Sequence, residues 1–447
     1  MTAKSESILE EVRLEANDQS QDIDIINGVV SIDYFEDIFS PTVTAKIVVY
    51  NTGDTIEGKD GKIQSIYNGL PLRGGERVSL RIAPNTEENA GLDYSENYQD
   101  YLYVSSVTNV IHLAKKETFM LNLVSREAIT NETTRVPIKF PSSSTIDVSV
   151  KKILQDYLKT EKEMDVDPVS NAYGFISNMR KPFNIITWLA SKSVSEDGNA
   201  GYFFYQTQDG YQFKSIDNLI NQEPKATYEY TEVNVSDTER NNDFMIMSYT
   251  TNKNQDLLEK LKLGAYSSFV ATYDPLKSEF NLPQQAEFTL SKSMDKDKTK
   301  NLGQELKLPP IDDTSERTLG DIPSRVMTMV LDRGVLEKGV VTEPPVNADP
   351  MKYQAQSIMR YNTLSTQQMH MQVPLNTNLR AGDTIKCMFP KVTSEDEDID
   401  DEQSGLYLIK ELCHHFAFGK KGKSETSMLL LRDTYGLYGV NNDNGGK

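Results

Sequence analysis

Ligands that zinc prefers occur side by side at one place in the sequence, at Cys413, His414 and His415. In a strand, Cys413 and His415 point to one face and His414 to the other, so at most two could bind one ion. The other histidines are His112 and His370, and no second pair at C-x-x-C or H-x-x-x-H spacing completes a tetrahedral site. The sequence therefore favours ordinary strand residues over a metal centre here.

Carboxylates, the usual ligands of calcium, form a dense run that also includes one isoleucine, Ile399. The run consists of Glu395, Asp396, Glu397, Asp398, Asp400, Asp401 and Glu402. It lacks the glycine and the ligand spacing of an EF-hand loop, so a solvated loop is the favoured interpretation. A second acidic loop lies near the N-terminus and contains Glu87, Glu88, Asp93, Glu96 and Asp100.

The sequence shows no recognisable motif for nucleophilic catalysis or nucleotide binding. It contains no G-x-S-x-G, no P-loop and no dinucleotide fingerprint. Trp188 and the aromatic run Tyr202–Tyr205 could form a sugar-binding platform, but their helix and hairpin spacing favours a domain core. We therefore expect no enzymatic activity and no cofactor.

The two acidic loops occupy equivalent places in an internal repeat. Three blocks recur in the same order: Leu72–Val78 and Leu379–Ile385, Leu102–Val104 and Leu406–Leu408, and Glu117–Leu123 and Glu425–Leu431. Each first block has a glycine suited to a turn with positive φ, followed by a strand. In the first repeat, Val78, Leu80 and Ile82 alternate with polar residues, which is typical of a half-buried strand. The repeat predicts two related β domains in one chain.

Length and composition limit the class of protein. The chain has 447 residues and a net charge of −19, which argues against a protein that grips nucleic acid. Two cysteines exclude a disulfide framework, and we expect no signal peptide or membrane helix. The sequence predicts a soluble protein made in the cytoplasm.

Between the repeats the hydrophobic periodicity changes. Helical spacing predicts a helix over 144–160 and a second one from Pro182, and Asp209-Gly210 predicts a hairpin. Strands are expected again over Tyr228–Thr250, a mixed segment with a β-like stretch at Ser268–Tyr273 follows, and a helix is expected over Met351–Leu364. The predicted domains are a first β domain (1–130), an α+β domain (131–226), a split second β domain (227–254 and 350–435), an inserted mixed domain (255–349) and a flexible tail (436–447).

With these residues in view, the chain resembles the central baseplate hub protein of contractile-tailed, T4-like bacteriophages. The resemblance rests on three stretches: the helix from Phe183 to Ala190, the hairpin Gly201–Phe213 and the closing segment Leu379–His415. It implies an α+β fold of mainly antiparallel β structure. Two similar tube-type β-barrel domains would flank the α+β domain, with the insertion in the second barrel.

The resemblance also implies the assembly. The hub would be a homotrimer in the virion tail baseplate, bound to the central spike protein, the tail tube initiator or tube protein, the tape-measure protein and neighbouring baseplate wedge proteins. Three chains with two repeats each give a six-part ring, so a trimer can match a sixfold tail tube on one face and a threefold spike on the other. DNA would pass through without specific binding.

Two hypotheses follow from this resemblance, and two alternatives stay open. We expect acids of both loops at the rim or bore of the ring: Glu87, Glu88, Asp93, Glu395, Asp396, Glu397, Asp398, Asp400, Asp401 and Glu402. We also expect the excess negative charge to keep DNA from sticking. One alternative is the hub-like half of a contractile secretion spike, and the other is a tail-associated cell-wall hydrolase.

Overall fold

The structure is a computed structural model. It describes residues 7–52, 56–57, 61–70, 72–86, 89–96, 100–230, 242–253, 256–281, 287–289, 301–303, 308–312, 314, 316–333, 346–347, 350–392, 399–418 and 423–436. The fold is α+β and mainly antiparallel β, as predicted. The predicted tail falls almost entirely outside the described residues, and the domain boundaries stay a prediction.

The first β region, residues 7–125, is built from ten strands and a one-turn helix, α1 (Ile66–Gly69). The strands are β1 (Leu9–Glu15), β2 (Asp22–Asp24), β3 (Val29–Asp37), β4 (Thr44–Thr52), β5 (Ile56–Glu57), β6 (Ile63–Gln64), β7 (Arg77–Ile82), β8 (Leu92–Asp93), β9 (Leu102–Leu113) and β10 (Lys116–Ser125). Alternate residues of the long strands, such as Ile32, Ile47 and Leu121, form its apolar core.

The α+β region follows and has its own aromatic-rich core. Its elements are α2 (Arg126–Thr133), β11 (Lys139–Phe140), α3 (Ile146–Lys152), β12 (Met164–Val166), β13 (Phe175–Ile176), α4 (Pro182–Ala190), β14 (Tyr202–Thr207), β15 (Gly210–Ser215) and α5 (Ile216–Asn221). The predicted hairpin is confirmed as β14 and β15, with Gly210 at φ +123°. Trp188 and the Tyr202–Tyr205 run belong to this packing: Trp188 contacts Tyr173 edge-on, with ring centroids 5.4 Å apart.

The second β region comprises residues 227–253 and 367–432. Its strands are β16 (Thr227–Glu229), β17 (Ser248–Lys253), β22 (Gln367–Pro374), β23 (Thr384–Met388), β24 (Gly405–Ala417) and β25 (Glu425–Arg432). The intervening segment contains α6 (Leu257–Leu263), a small sheet of β18 (Ser267–Asp274), β19 (Glu279–Asn281), β20 (Glu287–Thr289) and β21 (Arg325–Val330), and α7 (Ala355–Leu364). The predicted strand at Ser268–Tyr273 is therefore confirmed.

Three predicted elements differ in detail. The helix expected over 144–160 is α3 followed by a π turn, Ile153–Tyr157, after which Leu158 N donates to Ile153 O. The helix expected from Met351 likewise begins with a π turn and is regular only from Ala355.

The predicted strand over Tyr228–Thr250 is wrong in its described middle part, since Asn242–Phe244 is a 3-10 turn. Just after this turn, the backbone hydrogen bonds switch from β16 to β22. Ile246 N donates to Glu229 O, whereas Met247 N donates to Gln372 O, so β17 becomes regular only at Ser248.

The two β regions contain the same strand order. The first runs β3-β4-β10-β9-β7 and the second β17-β22-β25-β24-β23, with all pairs antiparallel. Matching the buried residues of the strands shifts the second and third repeated blocks by one residue from the sequence alignment, so that Val104 corresponds to Ile409 and Leu123 to Leu430. In this register a β-bulge falls at the same point in both regions, where Ser105 of β9 and Lys410 of β24 have no opposite residue in the neighbouring strand.

The turn before β7 and the turn before β23 are also alike. Gly75 has φ +94° and donates to Val104 O at 2.7 Å, while Gly382 has φ +90° and donates to Ile409 O at 2.8 Å. The following acid caps the turn in both: Glu76 accepts from Arg73 N, and Asp383 accepts from Arg380 N. Positive φ at these positions is the physical reason for the glycine in each repeat.

Candidate functional site: the junction of the two β regions

The two β regions are joined edge to edge by β3 and β24. Seven residue pairs align antiparallel, from Glu411 opposite Asp37 to Ala417 opposite Ser31. The pairing merges the two regions into one sheet, to which 14 of the described strands belong. His415 Nδ1 lies 2.5 Å from Asp33 Oδ1 across the junction, on the polar face of the sheet.

On the opposite face of the junction lies a buried carboxylate, Glu36. It accepts hydrogen bonds from Gln208 N at 2.7 Å, Ala381 N at 2.9 Å and the Tyr34 hydroxyl at 2.9 Å. The Tyr34 hydroxyl also lies 2.8 Å from that of Tyr94. Burial raises the pKa of Glu36 to about 7, although Arg380 and the three donors favour its charged form. One carboxylate thus contacts residues of the first β region, the α+β region and the second β region.

Arg380 provides the positive charge of this junction. Its Nε lies 3.1 Å from Asp209 Oδ2 in the hairpin turn of the α+β region, and its side chain is 11% exposed. Burial opposes its charge, but Glu36 and Asp209 together raise the pKa of Arg380 above its ordinary value. Burial raises the pKa of Asp383, the capping acid of the same turn, to about 6. The turn of the second repeat is therefore the place where the α+β region docks.

A cleft of about 690 Å³ opens beside this turn, between the α+β region and the second β region. Arg380 and Asp383 line one side, and Lys214 and Asp165 line the other. Lys214 is already paired with Asp165 and Asp167, and the lining contains four acidic and three basic side chains, so the cleft is polar.

The predicted ligand cluster is divided by the strand geometry. His414 is buried, with Nδ1 3.0 Å from Thr426 Oγ1 and Nε2 3.4 Å from Leu379 O. Burial, with a contribution from Arg380, lowers the pKa of His414 to about 3. Cys413 and His415 lie on the opposite, polar face, as the alternation predicts. Within the described ranges, no group of three or more His, Cys, Asp or Glu residues could hold a metal ion.

The two acidic loops are placed differently. Asn85 and Asn89 of the first loop donate to Leu375 O, and Ala90 N donates to Asn378, so this loop packs on the second β region. In the second loop Asp400 caps the nearby Glu402 and Gln403 amides.

The predicted loop acids are only partly described. Asp93 accepts from the backbone and hydroxyl of Ser95, while Asp401 and Glu402 are exposed. Glu87, Glu88, Glu395, Asp396, Glu397 and Asp398 lie outside the described residues. Their place at a rim or bore stays a prediction.

Charged groups that the sequence reasoning did not select lie on the polar face of the shared sheet. These are the carboxylates Asp33, Asp37, Glu411 and Glu425 and the lysines Lys46, Lys116 and Lys410. Lys410 pairs with Asp37 and Glu411. The period-2 alternation of β3 and β24 was the signal that could have identified them.

The comparisons with known proteins agree with this architecture. No protein-family model matches the chain. In sequence it is 20% identical over 366 residues to the "Probable baseplate hub protein gp334" of Vibrio phage KVP40, covering 78% of this chain and 80% of that protein. This similarity confirms the resemblance stated from the sequence.

Solved structures show a similar fold. The tail protein of Neisseria meningitidis MC58 aligns with a TM-score of 0.54 at 10% identity, covering 96% of this chain and 97% of that one. The 43 kDa tail protein of prophage MuSo2 from Shewanella oneidensis aligns with a TM-score of 0.51 at 9% identity, covering 95% and 98%. At these identities the structures support the fold alone.

A membrane-spanning helix would need about 20 apolar residues. Among the helices that the structure describes, none has the length and apolar character for this.

Proposed function

We propose that this chain is a structural hub of a contractile phage tail baseplate. The observation that carries the proposal is the repeated strand order joined edge to edge within one chain, taken with the sequence similarity to a probable baseplate hub protein. Two tail proteins share the fold of the chain. The hub would be located in the virion tail baseplate after synthesis in the host cytoplasm.

The hub acts as a homotrimeric symmetry adapter. Each chain contributes two β regions with the same strand order, turn and bulge, so three chains arrange six similar units around one axis. The face formed by these units matches a sixfold tail tube initiator or tube protein. The other regions repeat only three times, and they face the threefold central spike protein. The tape-measure protein and baseplate wedge proteins are further partners.

The polar face of the shared sheet lines a conduit for DNA. The four carboxylates named on this face outnumber its three lysines, and Lys410 pairs with both Asp37 and Glu411, so these described residues offer phosphates no net positive charge. The net charge of −19 acts in the same direction. The acids of the two loops add negative charge at the rim or bore.

The role is structural rather than catalytic. A cell-wall hydrolase needs a base that its substrate can reach, whereas His414 is buried and both its ring nitrogens have polar neighbours in the chain. No substrate atom can approach a nitrogen in that position. Incubation of the purified protein with peptidoglycan should release no fragments, and release that is lost on His414→Ala or His415→Ala substitution would contradict the structural role.

The mass of the protein in solution tests the assembly. One chain has a mass of 50.4 kDa, so light scattering should give three times this value, about 151 kDa. A stable particle of any other size would overturn the trimer.

A further inference from the structure

The junction between the two β regions has an incomplete counterpart in the first repeat. In the second repeat, the C-terminal half of β24 pairs with β3, which leaves Phe416 1% exposed. In the first repeat, β9 pairs with β7 only at Leu102 and Tyr103, with two further backbone bonds at Val104. The edge of β9 from Ser106 to Leu113 has no neighbouring strand on that side among the described residues.

Exposed apolar side chains mark this edge. Ile111 is 59% exposed and Leu113 is 67% exposed, in a strand with a single charge-bearing side chain, His112. A long strand with an open edge and exposed apolar residues is a site at which another strand can pair.

The strand that would fill the gap is defined by the repeat. β3 is the first strand of the first strand order, and β17 is the first strand of the second. Whereas β3 lies between β4 and β24, β17 ends the order of the large sheet and pairs with β22 alone among the described strands. Within one chain, the edges of β3 and β24 are therefore paired with each other, whereas the equivalent edges of β17 and β9 are both left open among the described strands.

The registers of the two repeats fix which residues would meet. In the second repeat His415 of β24 lies opposite Glu425 of β25, and in the first repeat Ile111 of β9 lies opposite Thr118 of β10. Because Thr118 and Glu425 occupy equivalent positions in the two repeats, Ile111 is the counterpart of His415. In the second repeat Thr250 of β17 lies opposite His370 of β22, and in the first repeat Asp33 of β3 lies opposite Lys46 of β4. Because His370 and Lys46 occupy equivalent positions, Thr250 is the counterpart of Asp33. The contact between His415 and Asp33 thus corresponds to one between Ile111 and Thr250.

We propose that β9 of one subunit pairs antiparallel with β17 of the next subunit, with Ile111 opposite Thr250 and Leu113 opposite Ser248. The proposal rests on the proposed trimer and assigns its subunit interface. Such a contact joins two different edges, so it is a head-to-tail interface that closes into a ring when three subunits repeat it. The sheet then continues through the seam between subunits as it does through the junction within each chain.

The seam differs in chemistry from the junction within the chain. At the junction the facing pair is His415 and Asp33, an imidazole beside a carboxylate. At the seam Ile111 and Leu113 would lie beside the hydroxyl residues Thr250 and Ser248, and pairing would cover apolar surface. Association is therefore expected to depend little on salt.

Cysteine cross-linking tests the seam and its register. Leu113→Cys with Ser248→Cys, in a Cys413→Ser background, places two thiols opposite each other on neighbouring strands, within reach of a disulfide. The matched control, Thr108→Cys with Ser248→Cys, starts five residues further along β9, roughly 15 Å away. After mild oxidation, the first variant should give covalent dimers and trimers and nothing larger, and the control should stay uncross-linked.

The outcomes separate this interface from the trimer itself. A protein that is trimeric by light scattering yet gives no cross-link in the Leu113 variant overturns the seam and leaves the trimer standing. Equal cross-linking of the control overturns the register. A protein that is monomeric in every variant overturns both.

A pair of charge variants gives an independent readout. Ile111→Asp with Thr250→Asp would place two carboxylates side by side at each of three seams, and the concentration needed for half-assembly should rise by at least about tenfold. Ile111→Asp with Thr250→Lys places opposite charges there and should assemble as the wild type does. Equal assembly of the two variants would contradict the proposed pairing.

Discussion

The two β regions share strand order, bulge and turn, but the same turn has two different environments. In the first repeat Arg73 is exposed, and Glu76 caps the turn with a hydrogen bond from Asn17 beside it. In the second repeat Arg380 is largely buried against Asp209, and the neighbouring Ala381 N donates to Glu36. One turn design therefore serves as a plain strand connection in one place and as a docking site for the α+β region in the other.

The strands that flank the repeats differ as well. β1 covers β7 in antiparallel orientation, whereas β16 covers β23 in parallel. The insertion between β17 and β22 interrupts only the second repeat. The common part is thus the set of five strands, which the insertion enters only at the connection between β17 and β22. With this arrangement, the shared strands of both β regions can take equivalent positions in a ring, while the other parts of the chain make different contacts.

The largest contrast is expected at the two turn glycines. An alanine Cβ at Gly382 would overlap the buried Tyr205 hydroxyl, whereas at Gly75 it would lie 3.0 Å from Asn17 Oδ1, which can move. Gly75→Ala should cost about 1–2 kcal/mol through positive φ alone. Gly382→Ala should cost at least about 3 kcal/mol, because the overlap adds to the strain. Urea unfolding of both variants measures the difference, and equal costs would contradict the docking of the second turn.

The two turn arginines should differ next. Arg380→Ala leaves Glu36 without its nearby positive charge, and breaking such a partly buried arrangement should cost about 3 kcal/mol. Arg73→Ala removes an exposed side chain and should change stability by no more than about 0.5 kcal/mol. Thermal unfolding of the two variants is the measurement. A loss as large for Arg73 as for Arg380 would show that the environments of the turns are not what distinguishes them.

The buried Glu36 at the docking site of the second repeat should make the stability of the protein depend on pH. Its pKa is raised from an ordinary value of 4.5 to about 7, so the folded chain holds this proton more tightly than the unfolded chain does. The resulting stabilisation is present below about pH 4.5 and is lost as the pH rises to 7. Asp383, with its pKa raised to about 6, acts in the same direction.

Stability measured from pH 5 to pH 8 should therefore fall more steeply in the wild type than in Glu36→Gln. At about 1.4 kcal/mol per pKa unit, the difference should not exceed about 3 kcal/mol. A wild-type slope in Glu36→Gln would contradict the role of this carboxylate.

The smallest effect on the protein itself is expected at the second acidic loop. Asp401 and Glu402 are exposed, so Asp401→Lys with Glu402→Lys should leave the trimer intact and slow DNA release from phage carrying it. Asn89→Ala in the first loop removes contacts to the second β region and should lower stability instead. Genome release and particle mass are the measurements. Loss of trimers in the charge-reversed variant would show that the second loop is structural.

Local patterns were sufficient for much of the fold. Alternation in β7 and β24, the glycines at 75 and 382 and the Asp209-Gly210 turn all depend on contacts within a few residues, and the sequence displays them directly. The π turn after α3 and the 3-10 turn at Asn242–Phe244 were not predicted. The apolar spacing over 144–160 does not distinguish a π turn from a regular helical turn, and the start of β17 is set by its pairing with Gln372, far along the chain.

The site itself was harder to predict. The acidic loops were conspicuous because their charges are adjacent in sequence. Glu36, Asp209 and Arg380 are isolated in sequence, and only the pairing of β3 with β24 brings them together. The place where regions meet is set by long-range contacts, which composition and periodicity do not reveal.

Two equivalent β regions per chain would allow three subunits to form a ring of six similar units. Electron microscopy of the purified full-length protein, viewed along the particle axis and averaged without imposed symmetry, tests this directly. We predict a ring of six similar lobes that alternate between two kinds, with threefold symmetry overall. A ring with any other number of lobes, or one in which the two β regions of a chain lie at different radii, would contradict the account.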